Sequence, residues 1–284
     1  MENTTNIMKK LFVTIAVIAL SAGLSFAQDL SEVTELFNNA ATALNDGSKA
    51  DAFNQFNNVL NLATALGEEG KDIVEKCQEL IPQLAVSLGK DLIKAEDYDG
   101  AVAKLKEAVE IAKKFNAEEA LSDAQTLIPQ VLNLKGADLI KEKNYTAAAD
   151  VFKEILAADP TDGKAAVRLG QALNGAGDAD GALEAFKTAA ANGQEATANK
   201  QIANIFLKKS SAALKTKNYQ AALDAAVESI NYNPSANAYK VAGTSAMNLK
   251  KNADAIKYLS KYLEASPSAA DAAQIKAAID ALKK

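Results

Sequence analysis

Two columns of small residues, twelve positions apart, constrain the fold of this 284-residue chain more than any other feature. The second column consists of alanines, namely Ala52, Ala101, Ala148, Ala182, Ala222 and Ala255. Twelve residues before each alanine lies Ala40, Gly89, Gly136, Gly170, Ser210 or Gly243. A helix keeps small side chains where another backbone approaches closely, because a larger side chain would overpack the contact and cost about 1–3 kcal/mol. The columns therefore predict six hairpins, each made of two closely packed helices.

The residues around the columns support this interpretation. Four positions after each alanine, one helical turn along the same face, lies an apolar residue that is large in every unit but the fifth. These residues are Phe56, Leu105, Phe152, Phe186, Ala226 and Leu259. A polar residue and a tyrosine mark several of the turns between the columns, as in Asp97-Tyr98, Asn144-Tyr145 and Asn218-Tyr219. Three units end at a proline, at Pro160, Pro234 and Pro267.

This pattern resembles the tetratricopeptide repeat, a helix-turn-helix unit of 34 residues. The spacing from Gly136 to Gly170 is 34 residues, and that from Ser210 to Gly243 is 33. The resemblance implies an all-α fold, a right-handed superhelical solenoid of antiparallel helix hairpins. It predicts a single domain over residues 28–284, with six repeats at about 33–267 and a capping helix at 268–284.

The first two units are longer than the family's repeat. Ala40 and Gly89 are 49 residues apart, and Gly89 and Gly136 are 47 apart. The added segments have helical spacing, so they should lengthen the N-terminal hairpins by about three turns. Pro82 and Pro129 then fall inside, or at a break of, long helices, where a kink is expected. A smaller extension is predicted near residues 192–199.

The end of the chain has an amphipathic pattern. Ile275, Ile279 and Leu282 would lie on one face of a helix. A terminal helix that covers the apolar surface of the last repeat is what repeat arrays require. We therefore predict a capping helix here.

The first 27 residues have the composition of a secretory signal peptide. Lys9 and Lys10 precede an apolar run from Leu11 to Leu24, and Ser25-Phe26-Ala27 then precedes the expected cut, with small residues flanking it. The run is too short to cross a bilayer comfortably. We expect export with cleavage before Gln28, and a retained anchor is the alternative. No cysteine directly follows the apolar run, and the chain cannot form an internal disulfide. Together with the signal peptide, these features predict a bacterial periplasm.

The composition excludes several kinds of chemistry. The chain has no histidine, so acid–base catalysis by histidine and histidine-containing metal sites are absent. Cys77 is the only cysteine and is expected to be a buried apolar residue. The glycine cluster from Gly170 to Gly181 does not fit a calcium loop, because Ala176 and Lys187 would stand at ligand positions. We therefore expect no catalytic residue, no metal and no cofactor.

What remains is a binding surface. In the family that the chain resembles, the first helices of successive hairpins line a concave groove that holds a peptide or a partner's helix. Amide side chains can satisfy an extended backbone, and lysine or arginine can pair with a carboxylate. The residues that the resemblance places in this groove are Gln83, Lys90, Lys94, Gln130, Asn133, Lys164, Arg168, Gln171, Asn174, Asn204, Lys208, Ser211, Asn237, Lys240 and Thr244.

A plain solvated surface is the alternative interpretation of these polar rows. The order of basic and amide residues does not reproduce the clamp with which chaperone-binding members hold a terminal carboxylate, so that ligand is not assigned. The chain has a net charge of −5 and no block of basic residues, which argues against nucleic acid as a partner.

The sequence therefore predicts a non-enzymatic scaffold in the periplasm that binds a protein or peptide partner and takes part in assembling envelope complexes. It predicts no membrane insertion after signal cleavage and leaves the oligomeric state open. The alternative is a small-molecule or glycan-binding protein that uses the groove of the N-terminal hairpins. Few aromatic residues line the predicted groove, which argues against sugar stacking.

Overall fold

The structure is a computed structural model that describes the backbone of residues 26–284 and the side chains of residues 29–284. The predicted signal peptide, residues 1–27, lies outside the described residues except for Phe26 and Ala27. These two residues form the start of the first helix.

The described residues form helices joined by short turns, with no β-strand among them, so the fold is all-α. A short 3-10 turn occupies Gly67–Gly70, and a π turn occupies Ala190–Gln194. The α-helices are α1 (Phe26–Asn45), α2 (Lys49–Ala65), α3 (Lys71–Lys94), α4 (Tyr98–Phe115), α5 (Glu118–Lys141), α6 (Tyr145–Ala158), α7 (Gly163–Ala176), α8 (Ala179–Ala189), α9 (Glu195–Lys215), α10 (Tyr219–Tyr232), α11 (Ala236–Asn248), α12 (Asn252–Ala265) and α13 (Ala272–Leu282).

The chain divides into two compact units, one ending at Val131 and the other beginning at Leu132. In the first unit α1 packs on α2, α2 on α3 and α3 on α4. In the second unit each helix from α6 to α13 packs on the next. The boundary falls inside α5, which is continuous through it. That residues 28–284 form a single domain stays a prediction.

Within a hairpin, we call the first helix A and the second helix B. The small residue of helix A receives the large residue of helix B. A Cβ added to Gly136 would lie 2.5 Å from the Phe152 ring, and one added to Gly170 would lie 2.6 Å from the Phe186 ring. Both rings are fully buried. Since real Cβ contacts of this length do not occur, each ring occupies the space that the glycine leaves open.

The same arrangement recurs at Gly89, where an added Cβ would meet Leu105, and at Gly243, where it would meet Leu259. The fifth hairpin departs from this arrangement, because Ser210 stands in the glycine position and Ala226 in the position of the large residue. In the other four hairpins named here, the glycine of the first column and the residue four positions after the column alanine have complementary volumes.

All six hairpin turns share one backbone conformation that the sequence analysis did not predict. The residue five positions before each column alanine has positive φ: Gly47, Glu96, Lys143, Gly177, Lys217 and Lys250. The next residue donates its N–H to the carbonyl five positions earlier, as Asp178 does to Leu173 and Asn218 to Ala213. This is the Schellman ending of helix A.

The polar residue that follows in the turn begins helix B. Asp97 accepts a hydrogen bond from the backbone N–H of Gly100 at 2.9 Å, and Asp178 accepts one from that of Gly181 at 2.9 Å. Such N-caps satisfy a backbone donor that the first helical turn leaves without a partner.

The predicted extensions of the N-terminal units are helical. Helices α3 and α5 have 24 residues each, whereas α7 has 14. Pro82 and Pro129 lie inside α3 and α5, and both helices continue through them. Because proline has no N–H, each costs its helix one i→i−4 hydrogen bond.

The predicted extension near residues 192–199 coincides with the π turn and the start of α9. Asn192 and Gly193 leave helical geometry there, and Gly193 has a φ of 81°. A Cβ added to Gly163 would lie only 2.2 Å from the carbonyl oxygen of Asn192. The extension therefore packs closely against the start of α7.

The glycine cluster serves packing and turn geometry. Gly170 leaves room for Phe186, and Gly177 has the positive φ of its turn. Gly175 lies in α7, where an added Cβ would meet the Tyr145 ring at 2.6 Å. It is small because that ring approaches its backbone.

The predicted terminal helix is present as α13, and its own residue Ile279 is buried. Before it, the Asp271 carboxylate accepts a hydrogen bond from the Tyr262 hydroxyl at 2.5 Å and pairs with Lys240 Nζ at 2.6 Å. These contacts join the start of α13 to α11 and α12.

We predict that Ala148→Leu destabilises the fold by about 2 kcal/mol, because Ala148 is fully buried in a packed helix contact. Chemical denaturation of the two proteins measures the difference. Lys164→Ala, at an exposed position of α7, is the control and should change the stability little. Equal stability of Ala148→Leu and the unchanged chain would contradict the hairpin register.

We predict that Lys217→Gly stabilises the second unit by about 0.5–1 kcal/mol, because its φ of 59° strains a residue with a Cβ. The reciprocal change, Gly177→Lys, should destabilise by about 1 kcal/mol. An added Cβ on Gly177 meets no atom within 4 Å, so only the backbone conformation is tested. Thermal unfolding that moves both variants in the same direction would refute this explanation.

Candidate functional site

The residues predicted to line the groove lie on A helices of both units. In the first unit they are on α3 and α5. Lys90 Nζ pairs with the Asp123 carboxylate of α5 at 2.8 Å. Lys94 pairs with Asp91 on its own helix at 3.1 Å. Both lysines therefore already have carboxylate partners within the unit.

Asp91 also accepts a hydrogen bond from Lys49 of α2, so one carboxylate holds two lysines. Burial alone would raise the pKa of Asp91, but the hydrogen bonds from Lys49 and Lys94 hold that pKa below its usual value. The carboxylate is charged at neutral pH. It thus joins α2 to α3 and offsets part of the positive charge of the two lysines.

The first unit also contains an open cleft of about 320 Å³. Four glutamates line it, Glu75 and Glu79 on α3 and Glu118 and Glu119 on α5, and the sequence analysis missed them. Gln83 is the predicted groove residue that lines the cleft, and Phe115 contributes its one aromatic ring. Gln130 lies elsewhere, exposed on α5. The lining is acidic and offers little surface for stacking a sugar.

In the second unit the predicted residues of α7 form an exposed row. Lys164, Arg168 and Gln171 are all exposed and spaced by four and three residues, so they lie on one helix face. Arg168 is the only arginine of the chain. Asn174 and Asn133 are half-buried.

Helix α9 presents a similar row. Asn204 and Lys208 are exposed, one helical turn apart, and Ser211 is half-buried. Lys200 is also exposed and lies one turn before Asn204. The sequence analysis missed Lys200, although its spacing of four from Asn204 was visible.

Helix α11 differs, because its one lysine has a partner. Lys240 pairs with Asp271 and lies 5.5 Å from the centroid of the Tyr262 ring. Asn237 is exposed and Thr244 is half-buried. The predicted role of Lys240 in capturing a partner's carboxylate competes with this contact to the capping helix.

The described residues show the state of the one thiol and of the acidic side chains. Cys77 is buried, and burial raises the pKa of its thiol to about 12, so the thiol stays protonated at neutral pH. Among the residues with described side chains, no group of three or more acidic or cysteine side chains could hold a metal ion. No helix in the described range is both long and apolar enough to cross a membrane.

Two family models of the tetratricopeptide repeat match the chain, one over residues 139–204 and the other over residues 207–270. The chain is a tetratricopeptide repeat protein. Both matches lie within the second unit, which contains the hairpins of ordinary length. Tetratricopeptide repeats are protein-interaction repeats, so a scaffold role follows for this chain at the level of the family.

Several solved structures of tetratricopeptide repeat proteins and related proteins are similar to this chain. A crystal structure of MamA is 19% identical, covers 66% of this chain and 92% of its own, and has a TM-score of 0.38. YrrB, described as a tetratricopeptide repeat protein with an unusual peptide-binding site, is 19% identical over 72% of this chain and 96% of its own, with a TM-score of 0.37.

PilF of Pseudomonas aeruginosa is 13% identical over 89% of this chain and 99% of its own, with a TM-score of 0.34. These identities and TM-scores are low. No curated protein matches the chain.

We predict that Asp271→Asn loosens α13 without unfolding the second unit, since the variant loses the charged acceptor of Lys240. Hydrogen exchange of residues 272–282 should accelerate, while that of α9 stays unchanged. Hydrogen bonds from Lys240 and Tyr262 hold the pKa of Asp271 below its ordinary value.

The stabilisation from Asp271 is therefore present above about pH 4, the ordinary range of an aspartate, and is lost as the pH falls through the lowered pKa. The unchanged chain should show faster exchange in α13 at such low pH, and Asp271→Asn should show no such dependence. A helix that exchanges equally in both proteins at every pH would contradict this assignment.

Proposed function

We propose that this protein is an exported, non-enzymatic scaffold that captures a segment of a partner protein on the A-helix surface of its second unit. We define this surface by the exposed rows of α7 and α9. It would bring the partner into a larger assembly of the bacterial envelope. The proposals of export and of a periplasmic location are supported by the signal-peptide pattern of residues 1–27.

One observation supports the location of the binding surface above the others. The exposed residues Lys164, Arg168 and Lys208 make no ion pair within the described part of the chain. The lysines of the neighbouring B helices behave differently, since Lys153 pairs with Asp150 and Lys187 with Glu184. Exposed charges without a partner on a surface of a repeat protein are available for binding.

The packing of the hairpins suits this role. The side chains that hold α7 against α8, such as Phe186 in the space left by Gly170, are buried and point away from the exposed row. The exposed row can therefore change without loss of the fold. This separation allows binding to be tested apart from stability.

A second candidate function is the binding of a small molecule in the cleft of the first unit. The cleft volume of about 320 Å³ suits a small polar ligand. Its four glutamates favour a cationic ligand over a neutral glycan. A thermal-shift screen of Glu79→Gln against the unchanged chain would test it, and a shift caused by a ligand only in the unchanged chain would support it.

We predict that Arg168→Glu weakens partner capture about tenfold or more, because the substitution reverses a charge in the exposed row of α7. The chain should stay folded, because Arg168 is exposed. The full chain would be cross-linked in its native cell, purified and compared with the variant by quantitative mass spectrometry. Lys276→Glu, an exposed position on α13, provides the same change of charge outside the surface and is the control.

A partner retained by the control and lost by Arg168→Glu would support the proposed surface. A partner list that is the same for all three proteins would place binding elsewhere on the chain. Both variants should unfold at the temperature of the unchanged chain, which excludes misfolding as the cause of any loss.

A further inference from the structure

The chemistry of the partner can be read from the charges of the second unit. We propose that the A-helix surface takes an extended acidic segment of a partner protein, whose side-chain carboxylates pair with Lys164, Arg168, Lys200 and Lys208. We call these four residues the basic stripe. This inference rests on the proposed function and names the partner class of the same surface.

The first observation is that charge is segregated between the two kinds of helix. The A helices α7, α9 and α11 together carry one arginine and six lysines against a single acidic residue, Glu195. The B helices of the same three hairpins, α8, α10 and α12, carry six acidic residues against three lysines. The basic surface is therefore a property of these three A helices, in a chain whose net charge is −5.

The second observation is that the stripe is not neutralised from within. All four of its side chains are exposed, and none makes an ion pair with the residues whose side chains are described. Two other A-helix lysines show the contrast, since Lys209 pairs with Asp180 at 3.0 Å and Lys240 with Asp271. Four like charges without internal partners attract an anionic ligand and repel a cationic one.

The third observation is the register of the stripe. Arg168 and Lys208 occupy the same repeat position, two residues before Gly170 and Ser210. Lys164 lies one turn from Arg168, and Lys200 lies two turns from Lys208 on the same face. The stripe thus forms two short rows of cations on consecutive A helices.

The two rows are close enough for one segment to cross. Helices α7 and α9 contribute to one buried cluster, in which Ala166 and Val167 share the core with Ile202 and Ile205. Both helices pack on α8. Directly packed helices lie about 10 Å apart and an extended chain advances about 3.3 Å per residue, so a segment that crosses from α7 to α9 meets the second row at least three residues after the first.

This spacing defines the ligand. It is an extended stretch with aspartate or glutamate about every third residue, and its backbone can hydrogen-bond to the exposed amides Gln171 and Asn204. The stripe ends before α11, where Val241 stands at the equivalent position and Lys240 is held by Asp271. Two or three carboxylates would fill it.

Nucleic acid fits the surface less well than such a segment. A long polyanion would extend beyond four cations and approach the acidic B helices and the acidic remainder of the chain. A short acidic segment of a protein places its charges only where the cations are.

The test uses the full chain and a fluorescent nine-residue peptide with glutamate at every third position and amidated at its C-terminus. A matched peptide carries glutamine in place of each glutamate. Fluorescence anisotropy in low and moderate salt gives both affinities. We expect the acidic peptide to bind at least tenfold more tightly than the amide peptide, and to weaken as salt rises.

The matched protein variants separate the stripe from general charge. Arg168→Glu with Lys208→Glu should abolish binding of the acidic peptide, whereas Lys276→Glu with Lys284→Glu changes the net charge equally and should retain it. Equal binding of the acidic and amide peptides, or equal loss in both variants, would overturn the inference. So would tighter binding of a single-stranded DNA oligonucleotide than of the acidic peptide.

A third variant distinguishes this failure from failure of the proposed function. Gln171→Tyr adds a bulky uncharged side chain beside Arg168 and obstructs the surface without changing charge. If both peptides bind equally and Gln171→Tyr abolishes that binding, the proposed surface stands and the inference of an acidic partner is wrong. Equal binding that Gln171→Tyr leaves intact would overturn both.

Discussion

The contact between a glycine of helix A and a large side chain of helix B is the interaction on which the structure depends. Phe152 and Phe186 fill the spaces left at Gly136 and Gly170, and burying such a ring stabilises the fold by about 2–3 kcal/mol. Because the contact needs a missing Cβ, it fixes which turn of helix A faces which turn of helix B. The exposed face of helix A is thereby fixed as well, and the basic stripe follows from it.

Much of the fold could be predicted from the sequence because it is repeated locally. The columns of small residues, the long α3 and α5 and the terminal helix all follow from spacing within a few tens of residues. The positive φ of Lys143 and Lys217 was missed, because lysine gives no sign of the left-handed conformation that glycine shows at position 177. There the Schellman hydrogen bonds of the turn override the preference of the residue.

The candidate surface was predictable only in part, since exposure follows from repeat register whereas ion pairing depends on distant partners. The row of Lys164, Arg168 and Gln171 lies exposed where the register placed it. The sequence could not show that Lys240 pairs with Asp271, or that Lys90 pairs with Asp123, because each partner is about thirty residues away. Lysines with the same expected role, such as Lys208 and Lys240, thus differ in availability for reasons that appear only after folding.

The position of the unit boundary inside α5 has a consequence for how the chain can be divided. Gly136, which leaves room for the ring of Phe152, lies a few residues beyond that boundary, on a helix that begins at Glu118. A fragment starting at Leu132 would keep the glycine but would present it on a stub of helix, and short isolated helices are marginal in water. Proteolysis or gene fission at this site would therefore damage the hairpin of α5 and α6. The second compact unit is thus not a module that can be separated cleanly at its boundary.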